Sequence, residues 1–187
     1  MFNFMSAPGS GKTELLKSLI PILQKDGQKI GVIEGDISTM NDSMRLKPLD
    51  IPIVQINTEN FGGDCHLGAN LIFSALNELK NEEIDIIIIE NVGNLVCPAE
   101  FDTGSNKNIV VLSVTEGEDK PLKYPLMFRR SQIALINKID IASAVSADIS
   151  LMKKNILAIN PNAKIFETSG KTGAGLKEFA SYLAAII

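Results

Sequence analysis

The chain has 187 residues, 45% of them hydrophobic and 21% charged, a balance ordinary for one globular domain long enough to bury a core. A formal net charge of −4 and a pI near 5.1 argue against broad, sequence-independent nucleic-acid binding. No apolar run approaches the roughly 20 residues that a membrane-spanning helix needs. Residues 1–5 lead straight into a glycine-rich loop, which does not fit a cleaved signal. The two cysteines, with nothing that suggests secretion, are expected as reduced thiols in a cytoplasmic protein. Lys120, Lys123, Arg129 and Arg130 are the one local concentration of positive charge, read as a solvated face or as nucleotide surroundings.

Apolar β-prone runs alternate with helical patterns along the chain, which predicts an α/β, three-layer fold with a mostly parallel central sheet, formed as a single domain over 1–187. Residues 2–5 form a short first strand. Residues 13–25 have helical spacing, with Leu15, Leu16, Leu19, Ile20 and Leu23 on the apolar side. Pro21 inside that window predicts a kink or two shorter pieces. Strands are expected at 29–34 and 51–56, then an amphipathic helix at 67–79. The run Ile84-Asp85-Ile86-Ile87-Ile88-Ile89-Glu90 suits a central strand buried on both faces. Further strands at 109–114, 133–136 and 163–167 and helices at 149–159 and 175–185 complete the prediction.

Ser6-Ala7-Pro8-Gly9-Ser10-Gly11-Lys12-Thr13 follows the first strand and opens the first helix, the setting of a phosphate-binding loop. Gly9 and Gly11 let successive N–H groups point at phosphate oxygens, with Ser10 between them and the helix N-terminus behind. Lys12 is placed to reach the β and γ phosphates and Thr13 to ligate Mg²⁺. Ser6 stands where the general pattern has its first glycine. Asp36 and Glu90 both fall at strand ends, where a carboxylate either serves Mg²⁺ or caps its strand. Lys12, Thr13, Asp36 and Glu90 are thus the expected catalytic and Mg²⁺-side set.

Asn137-Lys138-Ile139-Asp140, directly after a predicted strand, resembles the guanine-recognition motif of GTPases. An aspartate there accepts from both the ring N–H and the exocyclic amine of guanine, a pairing adenine does not offer. The expected nucleotide is therefore GTP or GDP. Ser169-Gly170-Lys171 resembles the supporting base-contact loop, with Gly170 where alanine is common.

The single histidine, His66, directly follows Cys65, and the second cysteine, Cys97, precedes Pro98 in a glycine-punctuated segment. Two sulfurs and an imidazole suit Zn²⁺, Ni²⁺ or copper. Three donors leave a four-coordinate metal incomplete, the remainder coming from water, a backbone nitrogen or a second chain. The other reading makes both cysteines small buried hydrophobes. Asp64 reads as a helix cap or as an orienting partner of His66.

Taken together, Phe4 to Thr13, Glu34-Gly35-Asp36, Gly62-Gly63-Asp64-Cys65-His66-Leu67, Glu90-Asn91-Val92-Gly93-Asn94-Leu95-Val96-Cys97-Pro98, the Glu116–Pro125 string, Asn137-Lys138-Ile139-Asp140 and Ser169-Gly170-Lys171-Thr172-Gly173 resemble the hydrogenase/urease nickel-incorporation GTPase family over nearly the whole chain. That resemblance implies slow GTP hydrolysis coupled to nickel delivery into the large subunit of [NiFe] hydrogenase. It also implies a hydrogenase maturation partner and a GTP-favoured homodimer, with nickel or zinc held near the interface by Cys65, His66 and Cys97. Serine at position 6 is common in that family. Its members usually carry a metal-binding segment ahead of the first strand. This sequence opens on the strand, so Cys65, His66 and Cys97 are expected to carry nearly all of the specific metal chemistry. Gly68 also departs from the family's usual polar residue. The rival reading is a P-loop small-molecule kinase or ATPase with structural cysteines.

Overall fold

The computed structural model describes residues 1–36, 46–57, 66–80 and 82–186, with the Asp36 side chain left out. Among these residues seven strands join one sheet in the order β3-β2-β4-β1-β5-β6-β7, and every pairing is parallel. The strands are β1 (Phe2–Ser6), β2 (Ile30–Asp36), β3 (Ile53–Asn57), β4 (Ile86–Gly93), β5 (Lys107–Ser113), β6 (Ile133–Asn137) and β7 (Lys164–Glu167). The larger helices are α1 (Lys12–Lys25), α2 (Ala69–Leu79), α6 (Ile149–Ile159) and α7 (Leu176–Ala185). Short helices α3 (Cys97–Glu100), α4 (Lys120–Lys123) and α5 (Pro125–Arg130) lie between β4 and β6.

Alternation along the strands builds the three layers. Phe4, Val32, Ile88, Ile109, Val111, Ile133 and Leu135 share one buried face with Leu15, Leu16 and Leu19 of α1 and Phe179 and Leu183 of α7. On the opposite face, Met5, Val110, Leu112 and Ile136 pack with Phe128 of α5 and Met152 and Ile156 of α6. Further along that face Ile33 and Ile89 pack with Ile72, Ala75 and Leu79 of α2. The predicted α/β parallel architecture is therefore what forms, with no antiparallel pair among the described strands.

Three differences from the predicted elements have physical causes. Helix α1 runs unbroken through Pro21. The carbonyl that Pro21 leaves without its helical donor belongs to Lys17, an exposed residue. Strand β4 extends past Glu90 to Gly93, and its pairing with β1 slips by one residue between Phe4 and Ser6. This bulge places Asn91 so that its Nδ2 donates to Asn3 Oδ1 at 3.1 Å, while Asn3 Nδ2 donates to Asn108 Oδ1 at 2.9 Å. A row of amides thus crosses β4, β1 and β5. Finally, α3, α4 and α5 were not predicted, because four to six residues carry too little periodicity to detect. Each has a proline in its first turn, where the missing N–H costs nothing.

Phe179 is fully buried between Phe4 at 6.3 Å and Phe166 at 5.2 Å between ring centroids. Phe179→Ala is expected to lower unfolding free energy by about 3–5 kcal/mol, measured by urea denaturation.

Candidate functional site

The polar motifs gather at the carboxyl ends of the strands, beside β1, where the strand order reverses and open parallel sheets place their ligands. The loop after β1 bends through Gly9 at φ +74° and Gly11 at φ +88°, both left-handed. It edges a cleft of about 460 Å³ whose walls include Ser10, Lys12, Thr13, Glu34 and Glu90. The Thr13 hydroxyl donates to Glu90 Oε1 at 2.7 Å, and Lys12 Nζ lies 3.8 Å from the same oxygen. All three side chains are buried, Glu90 to 3% exposure. Backbone N–H groups at a helix start beside a lysine form an anion site. The Thr13 and Glu90 oxygens are hard donors suited to Mg²⁺.

Glu34 is the residue that sequence reasoning missed. It is 1% exposed and lies opposite Glu90 in the β2–β4 register. Its phase was the available signal, since an acid in step with buried Ile30 and Val32 points inward rather than to solvent. Asp36 closes β2, and its side chain is outside the described residues.

A second cleft of about 210 Å³ adjoins the first at Gly11 and Glu14 and is walled by Asn137, Lys138, Asp140, Gly170 and Lys171. Asn137 ends β6 and binds inward, its Nδ2 donating to Ser10 O at 3.0 Å and its Oδ1 accepting from Gly170 N at 3.2 Å. Lys138 is left-handed at φ +63° and donates to Gly9 O at 2.6 Å. Ser169 Oγ donates to Asp140 Oδ1 at 2.6 Å. The structure thus brings Asn137, Lys138, Asp140, Ser169, Gly170 and Lys171 together beside the phosphate-type loop. Gly170 runs so close to α1 that a Cβ there would sit 2.7 Å from Leu15 N, which explains glycine where alanine is common.

Glu116 lies behind Lys138. Its Oε1 accepts from Ser113 N at 2.9 Å, while its buried Oε2 has no hydrogen-bond partner among the described residues. Burial pushes the carboxyl above the ordinary range, against the Ser113 N–H and the Lys120 and Lys138 charges.

The metal-type donors are only partly described. Cys65 lies outside the described residues, and among those described no three His, Cys, Asp or Glu side chains form a metal-sized group. Cys97 opens α3 and accepts from Asn94 Nδ2 at 3.5 Å. It is disulfide-bonded in the structure, against the expectation of a reduced thiol. That expectation rests on compartment, which sets the redox poise of a thiol rather than its surroundings. His66 stacks on Phe101 with ring centroids 3.5 Å apart and planes within 10°. Its Nδ1 is buried with no hydrogen-bond partner among the described residues.

A parallel α/β sheet with a glycine-rich loop between β1 and α1 defines a P-loop nucleoside-triphosphatase fold. Residues 1–167 match the CobW/HypB/UreG nucleotide-binding domain, and the chain belongs to that family. It is 45% identical over 181 residues to the hydrogenase maturation factor HypB of Rhizobium leguminosarum bv. viciae, covering 97% of this chain and 59% of that protein. It is 44% identical to the probable hydrogenase maturation factor HypB of Methanocaldococcus jannaschii, covering 97% of this chain and 80% of that protein. The chain therefore spans about three-fifths of the first relative's length. The crystal structure of HypB from Helicobacter pylori in complex with nickel superposes with a TM-score of 0.90 at 41% identity, covering 98% of this chain and 85% of that one. No described helix is long and apolar enough to cross a membrane.

Two outcomes follow from the geometry. Gly170→Ala is expected to lower both thermal stability and nucleotide affinity, by melting and fluorescent-nucleotide titration, because the new methyl group meets helix backbone that has no free rotation. For Glu116 the folded carboxyl titrates above its ordinary value of 4.5, so its protonated form contributes stability that is complete below that value and lost as pH rises through the folded one. Glu116→Gln should match wild type near pH 4 and become the more stable protein by pH 8, in denaturation series across that range.

Proposed function

We propose that the chain is a GTP-hydrolysing nickel metallochaperone domain that acts in hydrogenase maturation, with nucleotide state coupled to metal affinity. The observation that carries this reading is the course of β4. One strand holds Glu90 against Thr13, lines the phosphate-side cleft through Gly93, and reaches Cys97 four residues later. A displacement at the nucleotide therefore has a short covalent route to a metal-type thiol.

A second route supports it. Leu67, the residue after His66, packs onto Gly35 so tightly that a Cβ on Gly35 would lie 2.6 Å from Leu67 Cδ1. Gly35 walls the phosphate-side cleft, so β2 links that cleft to His66 as β4 links it to Cys97.

In this reading the loop N–H groups and Lys12 hold the β and γ phosphates. Thr13 and Glu90, with Asp36, hold Mg²⁺, which when bound offsets charge on the phosphate oxygens. Asp140 accepts from guanine, and Ser169 orients that carboxylate. Asn137 ties the base-side loop to the phosphate-side loop, so both clefts form together. Cys65, His66 and Cys97 take nickel or zinc as cargo, which requires Cys97 as the thiolate and therefore reducing conditions. The cytoplasm supplies both that poise and GTP. By family likeness the working form is a GTP-state homodimer that meets a hydrogenase maturation partner and the hydrogenase large subunit. The relatives named for hydrogenase maturation and the nickel-bound HypB support the client and the metal.

Asp140→Ala is expected to weaken guanine-nucleotide binding by roughly a hundredfold or more and to remove preference over adenine nucleotides, because a site built on paired hydrogen bonds loses them together. A panel of fluorescent nucleotides checks this. Ni²⁺ titration of the reduced protein should give affinities differing by about 5- to 150-fold between the GDP and GTP-analogue forms, the usual range for linked sites. Equal affinities in the two forms would remove the coupling.

A further inference from the structure

We propose that Phe101 is a positioning residue that fixes the plane of the His66 imidazole and so presents Nδ1 as its metal-binding nitrogen. The proposal rests on the metal reading above and adds to it the atom and the side chain that sets the atom's direction.

Helix α3 is a single turn with Cys97 at its start and Phe101 immediately after its end. Cys97 and Phe101 thus bracket one short turn, four residues apart in the chain. The turn is firmly held. Asn94 Oδ1 accepts from Val96 N at 2.7 Å and from Cys97 N at 3.3 Å, and Pro98 and Ala99 are buried beneath it. Phe101 thus follows directly on a held turn that begins at Cys97.

His66 comes from a separate segment, between β3 and α2, and lies nearly parallel to that ring at 3.5 Å. Imidazole rings that bind metals are normally oriented by a hydrogen bond to the other nitrogen. Here the orienting contact is the stack itself, and Nδ1 is buried with no hydrogen-bond partner among the described residues, which leaves its lone pair open to a metal. The stack fixes the plane, and fully buried Leu67 against Gly35 fixes the backbone beside it. A buried nitrogen lone pair with no donor is costly in the metal-free protein. Coordination through Nδ1 removes that cost. Nε2 then carries the proton.

Phe101 is 46% exposed, so its replacement leaves the core intact. The test compares wild type, Phe101→Leu, Phe101→Tyr and His66→Ala as reduced proteins, titrated with Zn²⁺ and with Ni²⁺. Because His66 is the only histidine, its two ring nitrogens are identified without ambiguity in long-range ¹H–¹⁵N spectra of the Zn²⁺ form. Phe101→Leu is expected to weaken metal binding about 10- to 100-fold, the usual loss when an orienting partner of a ligand is removed. Phe101→Tyr should restore wild-type affinity and spectrum, and the nitrogen that shifts on Zn²⁺ addition should be Nδ1. Wild-type affinity in Phe101→Leu, or a metal-bound Nε2, would overturn the proposal while leaving the metal reading standing if His66→Ala binds weakly. Unchanged binding in His66→Ala would overturn both.

Discussion

A buried carboxylate governs this molecule. Glu90 is almost sealed from water, and a carboxyl group in such a place needs polar partners. The Thr13 hydroxyl and the Lys12 ammonium meet it on one oxygen, so the acid at the end of the central strand and the first turn of α1 hold each other in place. Breaking that contact would strip a buried polar group of two partners, which costs more than losing an exposed pair. The phosphate-type loop therefore has a preset shape, with its helix, strand and bend tied at one point. A ligand that replaces Thr13 or Lys12 at Glu90 must provide charge of its own, which suits a nucleotide arriving with a divalent cation.

From that point the sheet spreads its consequences in two directions. Toward β6 and β7, Asn137 joins the phosphate-side loop to the base-side loop with one amide, donating to Ser10 and accepting from Gly170. Toward β2 and β4, the same strands that wall the phosphate-side cleft lead to His66 and Cys97. Glu34 and Glu90 lie side by side there, so two acids share the side of the cleft away from the base. The first linkage is one short side-chain amide and the second runs through backbone and close packing, and close-packed elements transmit displacement well.

Much of this was legible in the sequence, and the reasons are specific. Continuous β-branched runs such as 84–89 announce buried parallel strands, and the glycine-rich loop and Asn137-Lys138-Ile139-Asp140 carry spacing that only their strand ends explain. Glu34 escaped notice because Asp36, two residues on, matched the expected place for a Mg²⁺-side acid. Of the two outcomes expected at Pro21, a division into two pieces did not form, because the packing of Leu15, Leu16, Leu19, Ile20 and Leu23 holds one helix on both sides of the proline. The stack of His66 on Phe101 joins residues 35 positions apart through a turn too short to predict, and no local pattern reports it. The disulfide at Cys97 likewise depends on tertiary placement.

The amide row from Asn91 through Asn3 to Asn108 has a mechanical implication. Side-chain bonds across three parallel strands act as a pin, because sliding β4 by one residue would break them and turn its core side chains to the wrong face. In the proposed coupling, motion that begins at Glu90 is thus denied the strand axis. What remains is rotation of the segment beyond the bulge, with Asn91 as pivot and α3 as the swinging arm. The lever is short, so a small turn near the phosphates becomes a change in angle, rather than in reach, at the Cys97 sulfur.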